Sequence, residues 1–173
     1  MLFMTLGNFV DTQIAFISLI ISILSFMMSF EFWKKQFRPI ITISVRTVNS
    51  GNVGIVFLLK VLNSGSIPAK NVIISIDEKL IADAFGSGAS EENKERWVRS
   101  INNNKINILQ NGEAVTCSFG TCHSNDLGFW KYNAEFPITI NYQGWFGYKY
   151  TEKQTLQIKD SDSFTGYMWG ENA

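Results

Sequence analysis

The residues best suited to chemistry are Cys117, Cys122 and His123, the single histidine of the chain. Thiolates and imidazole are zinc ligands. C-x4-C-H is not a usual finger spacing, and a fourth ligand has to come from elsewhere, Asp126 being the nearest candidate. Cys117 also falls on the apolar side of an alternating strand, Val115-Cys117-Phe119, where cysteine acts as a small hydrophobe. Cys122 and His123 are adjacent, so on a strand they point to opposite faces and do not form a nucleophile–base pair. No phosphate loop, dinucleotide fingerprint, nucleophile elbow or H-E-x-x-H occurs. Glu91, Glu92 and Glu95, mixed with Lys94 and Arg96, read as a solvated face. The expectation is no catalytic residue, no metal and no cofactor.

What positions the chain is a different stretch, Thr12 to Phe30, TQIAFISLIISILSFMMSF. It holds no charge, and Asp11 and Glu31 close it at either end. Its length nearly matches a hydrocarbon core of roughly 30 Å at about 1.5 Å of rise per residue. A signal peptide has a basic start and a small-residue cleavage site. Here MLFMTLGNFVD precedes the run without Lys or Arg, and Glu31-Phe32-Trp33-Lys34-Lys35 follows it. A core helix is amphipathic, whereas this run is apolar nearly all round. The sequence therefore predicts a transmembrane helix over 12–33, after a short segment 1–11 and before a juxtamembrane linker 34–39.

Flanking charge gives the direction. Lys34, Lys35 and Arg38 follow the span, and the positive-inside rule then puts the N-terminus outside and the C-terminal part in the cytoplasm of a cell whose inner membrane it crosses once. Phe32 and Trp33, with those three cations, are the expected interfacial anchors. Ala15, Ser18, Ser22, Ser25 and Ser29 recur at steps of three, four, three and four, a stripe of small residues on one helix face. Small residues let helices approach closely in lipid, which points to a homo-oligomer or docking on another membrane protein. Serine hydroxyls bonding back to their own helix are the alternative.

About 140 of the 173 residues lie beyond the span, enough for one domain with a sizeable core. The chain has 15 basic and 15 acidic residues and no basic stripe, so nucleic acid is not an expected partner. Two cysteines make no disulfide framework, and a cytoplasmic location keeps them reduced.

Alternating runs mark the strands. Ile41, Ile43 and Val45 form the first, and Val53 to Leu62 a central second after a turn at Asn49-Ser50-Gly51-Asn52. Val72, Ile74 and Ile76 form a third. The stretch 78–104 reads as an insertion at the sheet edge: a flexible loop at Ala84 to Ser90, then a short helix capped by Ser90. Strand character returns at Ile106 to Leu109, and Asn111-Gly112 is a hairpin signal before Val115 to Phe119. Gly120 to Gly128 is a loop, and Phe129-Trp130 an aromatic strand or corner. Ile138, Ile140 and Tyr142 make a further strand. Gln143-Gly144-Trp145-Phe146-Gly147 is a hairpin loop, and Tyr148, Tyr150, Leu156 and Ile158 fill the last strand. The expected fold is mainly β: an antiparallel immunoglobulin-like sandwich of seven or eight strands over 40–160, with a tail at 161–173. Trp145 and Phe146, between two glycines, are the candidate partner-binding loop.

Leu59-Lys60-Val61-Leu62-Asn63-Ser64-Gly65-Ser66-Ile67-Pro68-Ala69-Lys70-Asn71-Val72 resembles the hairpin of bacterial and archaeal immunoglobulin-like domains of the CARDB type. Ile108 to Glu113 is similar to that family's later L-x-x-G-E/Q turn. The likeness covers about half of the part beyond the span, and its motifs mark turns. It implies an adhesion or interaction module and no catalytic residue. The layout resembles bacterial single-pass proteins of unknown function with one sandwich. The expected role is a membrane-anchored interaction module that self-associates through its helix and binds a partner protein. The alternative is a ligand-gated effector, similar in layout to cyclic-nucleotide effectors of bacterial antiphage systems. In that reading a nucleotide signal binds the β domain and clusters the spans.

Overall fold

A computed structural model describes residues 2–50, 54–123 and 126–161, with residues 2–11 and Phe146 described by backbone alone. The chain divides into two units, Met1–Arg38 and Pro39–Ala173.

The first unit is one helix, α1 (Leu2–Gln36). It extends beyond the expected span at both ends. Segment 1–11 is helical from Leu2, and the linker 34–39 is helical as far as Gln36, with Phe37 N–H still donating to the Trp33 carbonyl at 2.9 Å. Lys34, Lys35 and Gln36 are good helix formers, and the first breaker is Pro39, which disfavours helical backbone at Arg38. Apolar side chains from Ile14 to Phe32 are exposed on every face of α1.

The second unit is mainly β, with seven strands among the described residues. They are β1 (Ile41–Ser50), β2 (Gly54–Asn63), β3 (Ala69–Ser75), β4 (Lys105–Leu109), β5 (Ala114–His123), β6 (Glu135–Gln143) and β7 (Lys149–Gln157). They form two antiparallel sheets, ordered β1-β2-β5 and β4-β3-β6-β7. One core lies between them. The expected alternations at Ile41/Ile43/Val45, Val72/Ile74/Ile76 and Ile138/Ile140/Tyr142 all point into it, and β2 is the central strand of its sheet. The edge between β1 and β7 is stitched by side chains. The Gln154 amide accepts from Ile43 N–H at 3.0 Å and donates to the Ile41 carbonyl at 2.6 Å, as a neighbouring strand would.

One expectation for the middle of the chain is corrected. Asn111-Gly112 does turn, with Gly112 at φ 75°, but β4 and β5 belong to different sheets. The turn is a crossover, because local turn chemistry reverses the chain without choosing its partner strand. The insertion packs on the core. It contains α2 (Glu78–Ile81) and α3 (Glu91–Asn103), with Ser90 capping α3 by accepting from Asn93 N–H. Phe85 is buried, and Gly86 N–H donates to the Phe129 carbonyl at 2.9 Å. Val98 on α3 is buried, with Trp97 and Ile101 packed against the core. These side chains close around Trp130, which is fully buried. Trp130 stacks on Phe119 at 4.7 Å and Phe85 at 5.0 Å, and meets Trp97 edge-on at 4.9 Å. Asn102 pins the far end of α3 by exchanging two hydrogen bonds with the Ile76 backbone.

Of the remaining turns, Gly51 and Asn52, residues 124–125 of the 120–128 loop and the tail from 162 lie outside the described residues.

Candidate functional site

The sequence offered the cysteine–histidine group first, and the structure takes it apart. β5 is the edge strand of its sheet, and it is exposed from Ala114 to Ser118. Cys117 and Val115 pair with the buried Leu59 and Val61 and so keep to the apolar side, but both are exposed there. Phe119 has no partner in the register, since Leu58 faces Ser118 and Phe57 faces Gly120. Gly120 takes φ 108°, a conformation that glycine adopts freely. Past this bulge Cys122 turns into the core, and burial pushes its thiol up to about 12, with the Asp126 carboxylate adding to the rise. Partial desolvation raises the Cys117 thiol as well. The two cysteines pair with Leu59 and Ile55 of β2, so about 13 Å of strand separates them at roughly 3.3 Å per residue. One metal ion does not reach both. Among the described residues no group of three or more potential ligands comes together.

The span-face residues Ala15, Ser18, Ser22, Ser25 and Ser29 all lie on α1 and are exposed. Ser22 donates its hydroxyl to the Ser18 carbonyl at 2.8 Å. Its hydroxyl is thus satisfied within the helix, and what the stripe offers a neighbour there is small size. Of the residues expected to anchor at the interface, Lys34 folds back on its own helix, 2.7 Å from Glu31 and 4.6 Å from the Phe30 ring centre. Phe26, Phe30, Trp33 and Phe37 form a ladder of ring contacts 5.4–6.4 Å apart. Their spacing of four, three and four was the available signal, masked by the apolar surroundings.

The third group is built at one end of the β domain. Asn63, the last residue of β2, is fully buried. Its Oδ1 accepts from Gly65 N–H at 3.0 Å and Ile40 N–H at 3.3 Å. Its Nδ2 donates to the carbonyls of Ile67 at 2.8 Å and Leu109 at 3.1 Å. One side chain therefore ties together the entry to β1, the loop after β2 and the end of β4. Asn63-Ser64-Gly65, which the resemblance marks as a turn, carries this knot.

Beside it lies the β6–β7 hairpin. Tyr142 is buried, stacked on Tyr150 at 5.2 Å, with its hydroxyl 2.7 Å from a Glu152 carboxylate oxygen and 3.2 Å from the Pro39 carbonyl. Gly144 packs against the Pro39 ring. A short 3-10 turn, Trp145–Gly147, then carries the tip. Gly144 N–H donates to the Tyr148 carbonyl at 2.9 Å and closes the loop. Trp145 is 48% exposed and Tyr148 43%. The side chain of Phe146 lies outside the described residues. The loop tip predicted from Gly144 and Gly147 is in place. Its position next to Pro39 was not readable, since it depends on pairing between distant strands.

Comparison with known proteins returns no match among curated proteins and none among solved structures. One family matches, over residues 5–162, a stretch that takes in all but the first three residues of α1 and every described strand. The chain belongs to that family, described as a domain of unknown function (DUF8453).

Proposed function

We propose that the protein is a membrane-anchored interaction module. α1 crosses a bilayer once, with the N-terminus outside and the β domain in the cytoplasm, and the helices of two copies associate through the small-residue stripe. The observation that carries this reading is α1 itself: Thr12–Gln36 is long and apolar enough to cross a membrane, and its side chains are exposed rather than packed into a core. The family match running through the helix supports treating it as part of the working protein. The Lys34, Lys35 and Arg38 flank supports the orientation.

The β domain reads as an immunoglobulin-like sandwich. What supports this is the strand order. Strands one, two and five share a sheet, and strands three, six and seven lie together in the other, as A-B-E and C-F-G do in that fold, with β4 switched to the second sheet. In this reading the domain serves contact with a partner protein. Two exposed surfaces are available for it: the Trp145 tip, and the outer face of α3 with Glu92, Glu95, Arg96 and Arg99. Mass measurement of the full chain in mild detergent tests the association. A dimer or larger species is expected, and replacing Ser18, Ser22 and Ser25 together by Leu should return it to monomer. A wild-type monomer contradicts the association, and an unchanged oligomer in the triple variant contradicts the stripe.

A further inference from the structure

We infer that the Trp145–Tyr148 tip seats in the headgroup layer of the bilayer that α1 enters. This deepens the proposed function by naming the partner of the tip, and it rests on the reading of α1 as a span.

Position comes first. The root of the tip, Gly144, touches Pro39, and a Cβ built there would meet Pro39 Cδ at 3.1 Å. Only Phe37 and Arg38 separate Pro39 from Gln36, the last residue of α1. At no more than about 3.6 Å per residue, Pro39 cannot lie more than about 11 Å from the helix end. That bound comes from chain length alone. The root of the tip, packed on Pro39, therefore stays near the end of α1 whatever the orientation of the β domain.

Chemistry comes second. Trp145 and Tyr148 each carry a broad apolar ring with one polar group, and both are exposed by more than two fifths. Side chains of this kind favour the membrane–water interface, where the ring leaves water and the polar end keeps it. Lys149, exposed, comes next to Tyr148, and Ile40, also exposed, next to Pro39. A cation beside apolar and aromatic groups suits a headgroup layer that carries anionic lipid.

Order comes third. The tip is closed by the Gly144–Tyr148 hydrogen bond and by Tyr148 N–H donating to the Trp145 carbonyl at 3.3 Å. A loop already closed loses little conformational freedom on docking. Docking on a tethering bilayer is also intramolecular, so a weak intrinsic affinity is sufficient.

The test uses the full chain reconstituted in vesicles of phosphatidylcholine and phosphatidylglycerol, with part of the phosphatidylcholine brominated high in its acyl chain. Bromine quenches tryptophans at the interface. All proteins compared carry Trp169→Phe, which leaves Trp130 in the core and Trp97 packed against it as the unquenched background. The Trp33→Phe variant is expected to keep a bromine-quenched component that disappears when Trp145→Phe is added. Trp145→Phe alone is expected to keep the Trp33 component, which reports insertion of the span. If Trp33→Phe abolishes all quenching while Trp145→Phe leaves it at the wild-type level, the span is inserted and the tip is not at the lipid. That result overturns the inference and leaves the tip to a protein. If neither single variant nor the wild type is quenched, the span reading fails and the inference with it.

Discussion

Gly144 lies so close to Pro39 that a Cβ at residue 144 would sit 3.1 Å from the proline Cδ and 3.1 Å from Tyr150 Cε2. Neither neighbour yields easily, since proline is a rigid ring and Tyr150 is stacked on Tyr142. Gly144→Ala is therefore expected to destabilise the β domain by about 1 kcal/mol through overpacking. Chemical denaturation of the full chain in detergent, followed by the near-ultraviolet signal, measures it. An unchanged midpoint would show that the root of the tip is loose.

Asn63 makes the larger contribution at the same end. Asn63→Ala strips partners from the backbone groups of Ile40, Gly65, Ile67 and Leu109. Unsatisfied buried groups cost about 1–3 kcal/mol each when water cannot reach them. Partial hydration of the cavity reduces the sum, and a net loss of roughly 3 kcal/mol is expected. Asn63→Asp should not rescue it, because oxygen replaces the Nδ2 donor that faces two carbonyls. Equal stability of the Asp variant and wild type would contradict this account of the knot.

Cys122 gives a pH dependence. Its folded thiol is pushed up to about 12, first by burial and then by Asp126, while an unfolded thiol ionises near 8.5. Between these values the unfolded chain binds fewer protons than the folded one. The stability of the folded state is therefore unaffected below about pH 8.5 and falls as pH rises, by up to about 1.4 kcal/mol per pH unit. Cys122→Ala removes this slope at a fixed cost in packing. The stability advantage of wild type over Cys122→Ala should shrink between about pH 8.5 and 10.5. A constant gap across that window would mean that the Cys122 thiol is not shielded.

Much of the β domain was legible because half-buried strands write their burial as alternation. Ile41/Ile43/Val45 and Ile138/Ile140/Tyr142 needed nothing beyond their own spacing. Ser90 was legible as a cap for the same reason: its partner, Asn93, is three residues away. Failures came where a distant partner decides. Val115 and Cys117 alternate correctly, yet they lie on an edge strand, and no local pattern reveals which strand ends a sheet. Asn111-Gly112 reverses the chain, but the choice of β3 and β2 as partners for β4 and β5 is made elsewhere. Phe85, Trp97 and Trp130 are far apart in sequence, so their common cluster had no local signature. The tip's nearness to Pro39 is of the same kind. It joins residues 105 positions apart, and it is the relationship on which the further reading depends.

The central claim, an anchored β domain on the cytoplasmic side, is tested most directly at Cys117. That thiol is exposed, whereas Cys122 is buried and should stay unreactive while the domain is folded. Cells expressing the full chain are treated with a membrane-impermeant maleimide, before and after permeabilisation, and the protein is recovered from the membrane pellet. The account predicts one label, at Cys117, appearing only after permeabilisation. Labelling of intact cells, or recovery of the protein in the soluble fraction, would contradict it.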